Sequence, residues 1–216
     1  MILRFTPEVL FVVLGSVPVG IGGTFAVRKL SRTEHPRMVG MIAATLAIGT
    51  WAFTAMPDVF LLALACALGW TLLVLAMVDA FAFRLPDVLT LPLIAAGLAV
   101  SWWLPERDIL GHVVATLLAL TIFYAIAAAY QRTRGREGLG LGDVKLAGAA
   151  GAWLGWQALP YVVLLACAIG FLWVGIAMIR RGRSALNERI PFGVALCFAI
   201  WIVWLYGPPD LSGVLS

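Results

Sequence analysis

Charge is scarce in this sequence. Asp, Glu, Lys and Arg make up 12% of its 216 residues, about half the usual share near 25%, and they fall in short clusters between long uncharged runs. With 62% hydrophobic residues and a mean hydropathy of +1.01, the composition excludes a water-soluble globule and leaves an integral membrane protein. Cysteine and histidine are scarce too. Cys66, Cys167 and Cys197 all lie inside apolar runs without CxxC spacing, which argues against a zinc knuckle, a disulfide framework and a thiol nucleophile. His35 and His112 belong to no HExxH pattern, so zincin-type hydrolysis has no ligands, and no metal or organic cofactor is expected. Ser16 follows Gly15 but lacks the G-x-S-x-G elbow that a serine hydrolase of that type needs. No linker, low-complexity stretch or internal repeat divides the chain, which reads as one domain over residues 1–216. The formal net charge of +4 is not a nucleic-acid signal, because basic residues in a membrane protein report topology.

What the chain has in abundance is apolar runs of spanning length. Crossing about 30 Å of hydrocarbon takes roughly 20 helical residues, and segments near 8–27, 38–56, 59–79, 88–104, 109–130, 143–157, 159–179 and 190–207 fit that length. The expectation is an all-α polytopic membrane protein of about eight transmembrane helices. Residues 1–27 contain Arg4 and an apolar run, but Pro7, Glu8, Pro18 and the lack of a small-x-small cleavage site make them a retained first span. The sixth segment is short and rich in Gly and Ala. Met56-Pro57-Asp58 and Pro105-Glu106-Arg107-Asp108 leave room only for tight helical hairpins.

The basic residues test this count. Eight spans put Arg28, Lys29, Arg32, Arg37, Arg84, Arg132, Arg134, Arg136, Lys145, Arg180, Arg181, Arg183 and Arg189 on one side, leaving Arg4 and Arg107 on the other. The rich side is cytoplasmic by the positive-inside rule, so both termini are non-cytoplasmic. The arginines at 132–136 and 180–189 then meet anionic lipid headgroups. Trp102, Trp103, Trp153 and Trp156 read as anchors at the opposite interface.

Carboxylates are the remaining chemistry. In Gly138-Leu139-Gly140-Leu141-Gly142-Asp143-Val144-Lys145 the alternate glycines disfavour a helix interior, and they suit close approach of a substrate backbone. Asp143 itself stands where a helix could start, as an N-cap. Asp79 ends the run Leu72–Val78 at or inside the membrane boundary, where an ionisable group is costly and functional by default; the plain alternative is an interfacial pair with Arg84. The topology brings Asp79 and Asp143 to one side at similar depth. Two carboxyl groups sharing a low-dielectric site hold one proton between them, the arrangement by which aspartic proteases activate water. Lys145 is expected to pair with an acidic residue or a lipid phosphate. Asp87 reads as an N-cap and Glu137 as a solvated loop charge. Ile190-Pro191-Phe192-Gly193 reads as a proline-started helix.

These residues together resemble a known family. The run Gly135 to Leu146, continued by Gly151-Ala152-Trp153-Leu154-Gly155, resembles the GxGD region of the prepilin peptidases, the type IV leader peptidases. Asp79 with Arg84-Leu85-Pro86-Asp87-Val88-Leu89-Thr90-Leu91-Pro92 resembles the segment around that family's first catalytic aspartate, and Ile190-Pro191-Phe192-Gly193 its last motif. The likeness covers residues 38–207 and weakens over 8–32. It implies that Asp79 and Asp143 are the catalytic pair, with Gly140 and Gly142 completing the motif and Lys145 beside it, of a membrane aspartic endopeptidase in a bacterial inner membrane. The implied reaction removes a short basic leader from type IV prepilins or type II secretion pseudopilins at the cytoplasmic face. Many members also N-methylate the product and carry two CxxC pairs after the first span. Here that segment is only Leu30-Ser31-Arg32-Thr33-Glu34-His35-Pro36, so methyl transfer is not expected.

Three rivals stand beside this reading: a proton-coupled transporter or channel that titrates the same acids, a non-catalytic assembly factor, and a preflagellin-type peptidase of the same superfamily. Transport sites usually sit near the midplane, whereas both aspartates are expected at one face. The sequence leaves the oligomeric state open.

Overall fold

The computed structural model describes residues 7–32, 37–104, 107–135, 138–182 and 191–208. Eight helices occupy the described residues: α1 Pro7–Ser31, α2 Met38–Ala55, α3 Val59–Ala82, α4 Asp87–Trp103, α5 Ile109–Arg134, α6 Leu141–Leu154, α7 Leu159–Arg181 and α8 Phe192–Tyr206. Five of them, α1, α2, α3, α5 and α7, are long and apolar enough to cross a membrane, and α4 and α8 are shorter apolar helices. His35, Glu137 and Ile190 lie outside the described residues.

Local signals set the ends. Asp58 caps α3 by accepting the Leu61 N–H at 2.9 Å, and Asp108 caps α5 by accepting from Leu110 at 3.1 Å, which satisfies amides that a helix start leaves orphaned. The first cap lies in the short connection foreseen between α2 and α3; in the connection foreseen between α4 and α5, Pro105 and Glu106 lie outside the described residues. α5 stops at Gly135, in the left-handed region at φ 65°, where glycine carries no Cβ penalty. α3 stops on Phe83, a non-glycine residue at φ 51°, and the chain then leaves helical structure through Arg84, Leu85 and Pro86, the last with extended backbone.

The bundle is organised around α6. Val144 and every residue from Leu146 to Trp153 are buried, and α4, α5 and α8 pack against them. Small residues permit this: a Cβ on Gly151 would lie 2.6 Å from the Ala115 backbone, and one on Gly148 2.7 Å from Leu120. Close backbone approach through small residues is the usual way helices associate where no water drives them together. At 1.5 Å per residue the 14 residues of α6 span only about 21 Å.

The far end of α6 is locked by polar contacts. The Ala152 carbonyl accepts from Ser101 Oγ at 3.2 Å and meets His112 Nδ1 at 3.0 Å, and Arg107 donates to the Trp153 carbonyl at 2.7 Å. A cation there also suits the negative end of the helix dipole. Trp153 is not the interfacial anchor expected from sequence. It is 3% exposed, its Nε1 donates to the Leu93 carbonyl at 2.8 Å, and its ring fills the space left by Gly97. Trp102, Trp103 and Trp156 are exposed. α1 and α2 form a hairpin that packs on α3, tied by Thr45 Oγ1 donating to the Ser16 carbonyl at 2.9 Å and Ser16 Oγ donating to the Thr45 carbonyl at 3.3 Å. The outward faces are apolar, as on α7 with Phe171, Leu172, Trp173 and Ile179.

Candidate active site

Asp79 lies in the last turn of α3, 6% exposed. A carboxylate so buried needs donors, and they come from a helix start 115 residues away. Val194 N–H donates to Asp79 Oδ2 at 3.2 Å, with the Gly193 amide beside it. These are the orphan amides of α8, whose positive dipole end favours an anion. The approach depends on Gly193, since a Cβ there would lie 2.7 Å from Asp79 Oδ2. No ion pair joins Asp79 to Arg84 among the described residues; the α8 amides serve it instead. The Pro191-Phe192-Gly193 segment thus opens α8 as expected and also seats Asp79, a role that sequence reasoning missed because it depends on contact across the fold.

Asp143 is not an N-cap. Gly140 holds that position, α6 begins at Leu141, and Asp143 is the third helical residue. Its carboxylate reaches back toward the Gly140 amide, the reciprocal half of a capping box. Asp79 and Asp143 line one cavity of about 840 Å3 and are close enough to repel each other electrostatically. Cys197, buried one turn along α8 from Gly193, lies within electrostatic range of both, a neighbour that its apolar sequence context does not reveal.

The glycines divide their work. The side-chain space at Gly142 is taken by Leu85, whose Cβ would be 2.7 Å from a Cβ at 142, and that at Gly138 by the Tyr130 ring. Both admit the chain's own residues, not a substrate. Gly140 alone faces the cavity openly, with Asp143 Oδ2 at 3.4 Å from its Cβ position. The opposite wall is a face of α5 formed by Tyr124, Ala127, Ala128 and Gln131.

Lys145 pairs with Asp87 at 2.5 Å, which meets one of the two expectations for it. Asp87 is the first residue of α4, behind Pro86 at the N-cap, so its carboxylate serves the lysine instead of capping the helix. The pair ties the start of α4 to the start of α6 at the cavity rim. With Asp87 more than half exposed, a double-mutant cycle of Asp87→Asn and Lys145→Met in thermal unfolding is expected to give a coupling of about 0.5–1 kcal/mol. A coupling near zero would show that the pair does not tie the helices. His112 sits at the far end of α6, and no group of His, Cys, Asp and Glu suited to a metal occurs among the described residues.

Comparison with known proteins adds to this geometry. The model of the type IV leader peptidase family matches residues 66–175. A prepilin leader peptidase/N-methyltransferase of Aeromonas hydrophila is 36% identical over 171 residues, 79% of this chain and 58% of the relative. Proteins of the same name from Pseudomonas putida and Aeromonas salmonicida are 35% and 37% identical over 190 and 182 residues, covering 86% and 83% of this chain and 63% and 60% of theirs. The chain thus spans about 60% of the length of these curated relatives. No solved structure matches it.

Proposed function

This chain belongs to the type IV leader peptidase family, and on that premise we propose that it is a membrane aspartic endopeptidase acting through Asp79 and Asp143. The observation that carries the proposal is the opening of the buried Asp79 and the half-buried Asp143 onto one cavity, from helices far apart in sequence. One carboxylate takes a proton from water as the oxygen attacks the scissile carbonyl. The other, as the acid, gives its proton to the carbonyl oxygen. Collapse of the tetrahedral diol then returns a proton to the leaving nitrogen, so the products are a free acid and a new amino terminus.

The proposed substrates are type IV prepilins or type II secretion pseudopilins, each cut to release its short basic leader at the cytoplasmic face of a bacterial inner membrane. Support comes from the relatives' names and from the basic residues clustered at the cavity's end of the bundle: Arg84 and Lys145 line the cavity itself. In this reading all eight helices lie in the membrane, both termini are non-cytoplasmic, and residues 1–216 are one peptidase domain with its core over 38–207. Anionic headgroups meet the basic loops, and no nucleic acid is involved. The reading needs no metal or organic cofactor and covers the peptidase step without methyl transfer.

The test uses the purified full chain in liposomes with a synthetic prepilin leader spanning the cleavage site, alongside a preflagellin leader and a proton-flux assay. Cleavage of the prepilin leader without flux is the expected result. Flux without cleavage would favour the transporter, cleavage of the preflagellin leader alone would move the substrate assignment, and neither activity would leave an assembly role.

A further inference from the structure

Leu85 has a placement that neither the family motif nor the acid pair explains. It lies on the non-helical run between Phe83, in the left-handed region, and Pro86, whose ring disfavours helical backbone at the preceding residue. Two helix starts meet its side chain. The Cβ of Leu85 lies 2.7 Å from the Cβ position of Gly142 in the first turn of α6, and its Cδ1 lies 3.0 Å from that of Gly193 in the first turn of α8. Each helix start carries one half of the site: Asp143 follows Gly142 directly, and Asp79 is held by Val194 N–H next to Gly193. Leu85 is buried, and the Lys145–Asp87 pair anchors the run two residues further on.

We infer that Leu85 is a positioning residue, a spacer between α6 and α8 whose length sets the separation of the Asp79 and Asp143 carboxyl groups. The wedge works because both contacted positions are glycine. With no side chain on either helix start, the leucine reaches both, sharing the space at Gly193 with the Asp79 carboxyl, and close-packed interiors transmit a change in one spacer to the groups it holds apart. Truncation to alanine keeps the contact with α6 and empties the contact with α8. Methionine, of similar volume, refills it. The inference rests on the peptidase reading for its kinetic consequence and on geometry alone for its structural one.

The experiment therefore has two arms. In the cleavage assay, Leu85→Ala is expected to lower kcat by about 10²-fold, the scale on which displacements near 1 Å act, with KM within about two-fold of the parent. Leu85→Met restores kcat to within about three-fold. Leu62→Ala, at a position even more buried and near the opposite end of α3, is the control for general loosening of the core and leaves both constants near the parent's. In the second arm Cys66, Cys167 and Cys197 are replaced by alanine, and Asp79→Cys with Asp143→Cys is treated with bifunctional thiol reagents of graded length. The shortest reagent that joins the two cysteines is expected to change in length with Leu85→Ala and to be unchanged with Leu85→Met. An unchanged reagent length in the Leu85→Ala protein overturns the spacer whatever the kinetics show. A changed length in a protein whose parent cuts no leader leaves the spacer standing and removes the peptidase reading instead.

Discussion

Asparagine in place of Asp143 is expected to lower leader cleavage by about 10⁴-fold, the upper range for loss of a general acid or base, while the protein accumulates normally in the membrane. The two side chains have the same shape, and the amide oxygen can still accept from the Gly140 amide that faces Asp143. What asparagine cannot do is take or give a proton at neutral pH. Folding has no reason to suffer, because the substitution removes the repulsion between the two carboxylates. Asp79→Asn should behave alike, its oxygen retaining the Val194 N–H. Groups that act as a unit are non-additive, so the double variant should be no slower than either single one. Cleavage rate set against the amount of membrane-inserted protein measures all three, and full processing by either single variant would remove the acid pair from the mechanism.

Gly193→Ala should produce the next largest loss. A Cβ there would stand 2.7 Å from Asp79 Oδ2, 2.9 Å from its Cγ and 3.0 Å from Leu85 Cδ1, so three atoms already in contact would have to yield. Asp79 is fixed by α3 on one side and has no second helix start to turn to. A fall in kcat of about 10²-fold is expected from displacing one carboxyl by something near 1 Å. Stability should change little, because alanine's advantage in a helix, about 1 kcal/mol, offsets part of the crowding. Gly175→Ala in α7 provides the comparison: nothing lies within 4 Å of its Cβ position, so kcat should stay at the parent value. Equal activity in the two variants would show that the α8 start does not seat Asp79.

The helices were legible because membrane spans announce themselves by composition and length alone. The segment expected at 38–56 is α2 at Met38–Ala55, and that at 109–130 is α5 at Ile109–Arg134. That Asp79 and Asp143 would meet at one place was legible from the span count, and both line one cavity. Their partners were not. The hydrogen bond from Val194 to Asp79 and the pairing of Lys145 with Asp87 join positions 115 and 58 apart, and no local pattern encodes such contacts. Trp153 was misjudged for the same reason: its burial depends on Gly97 and on the T-shaped contact with Trp204, ring centres 5.2 Å apart. The alternate glycines showed that something comes close to the backbone, but not that at 138 and 142 it is the protein itself.

The shortness of α6 bears on where hydrolysis can take place. If α6 spans the membrane, as the proposed eight-span reading has it, a helix of about 21 Å cannot cover about 30 Å of hydrocarbon, so either the acyl layer thins around the bundle or water fills the missing depth above Asp143. Both routes would solve a supply problem for the proposed peptidase, because hydrolysis within a bilayer still consumes one water per turnover. Both also carry an energetic cost that grows with each ångström of mismatch. Turnover should therefore fall as the acyl chains of the host liposome lengthen, which makes lipid chain length a kinetic variable of this site.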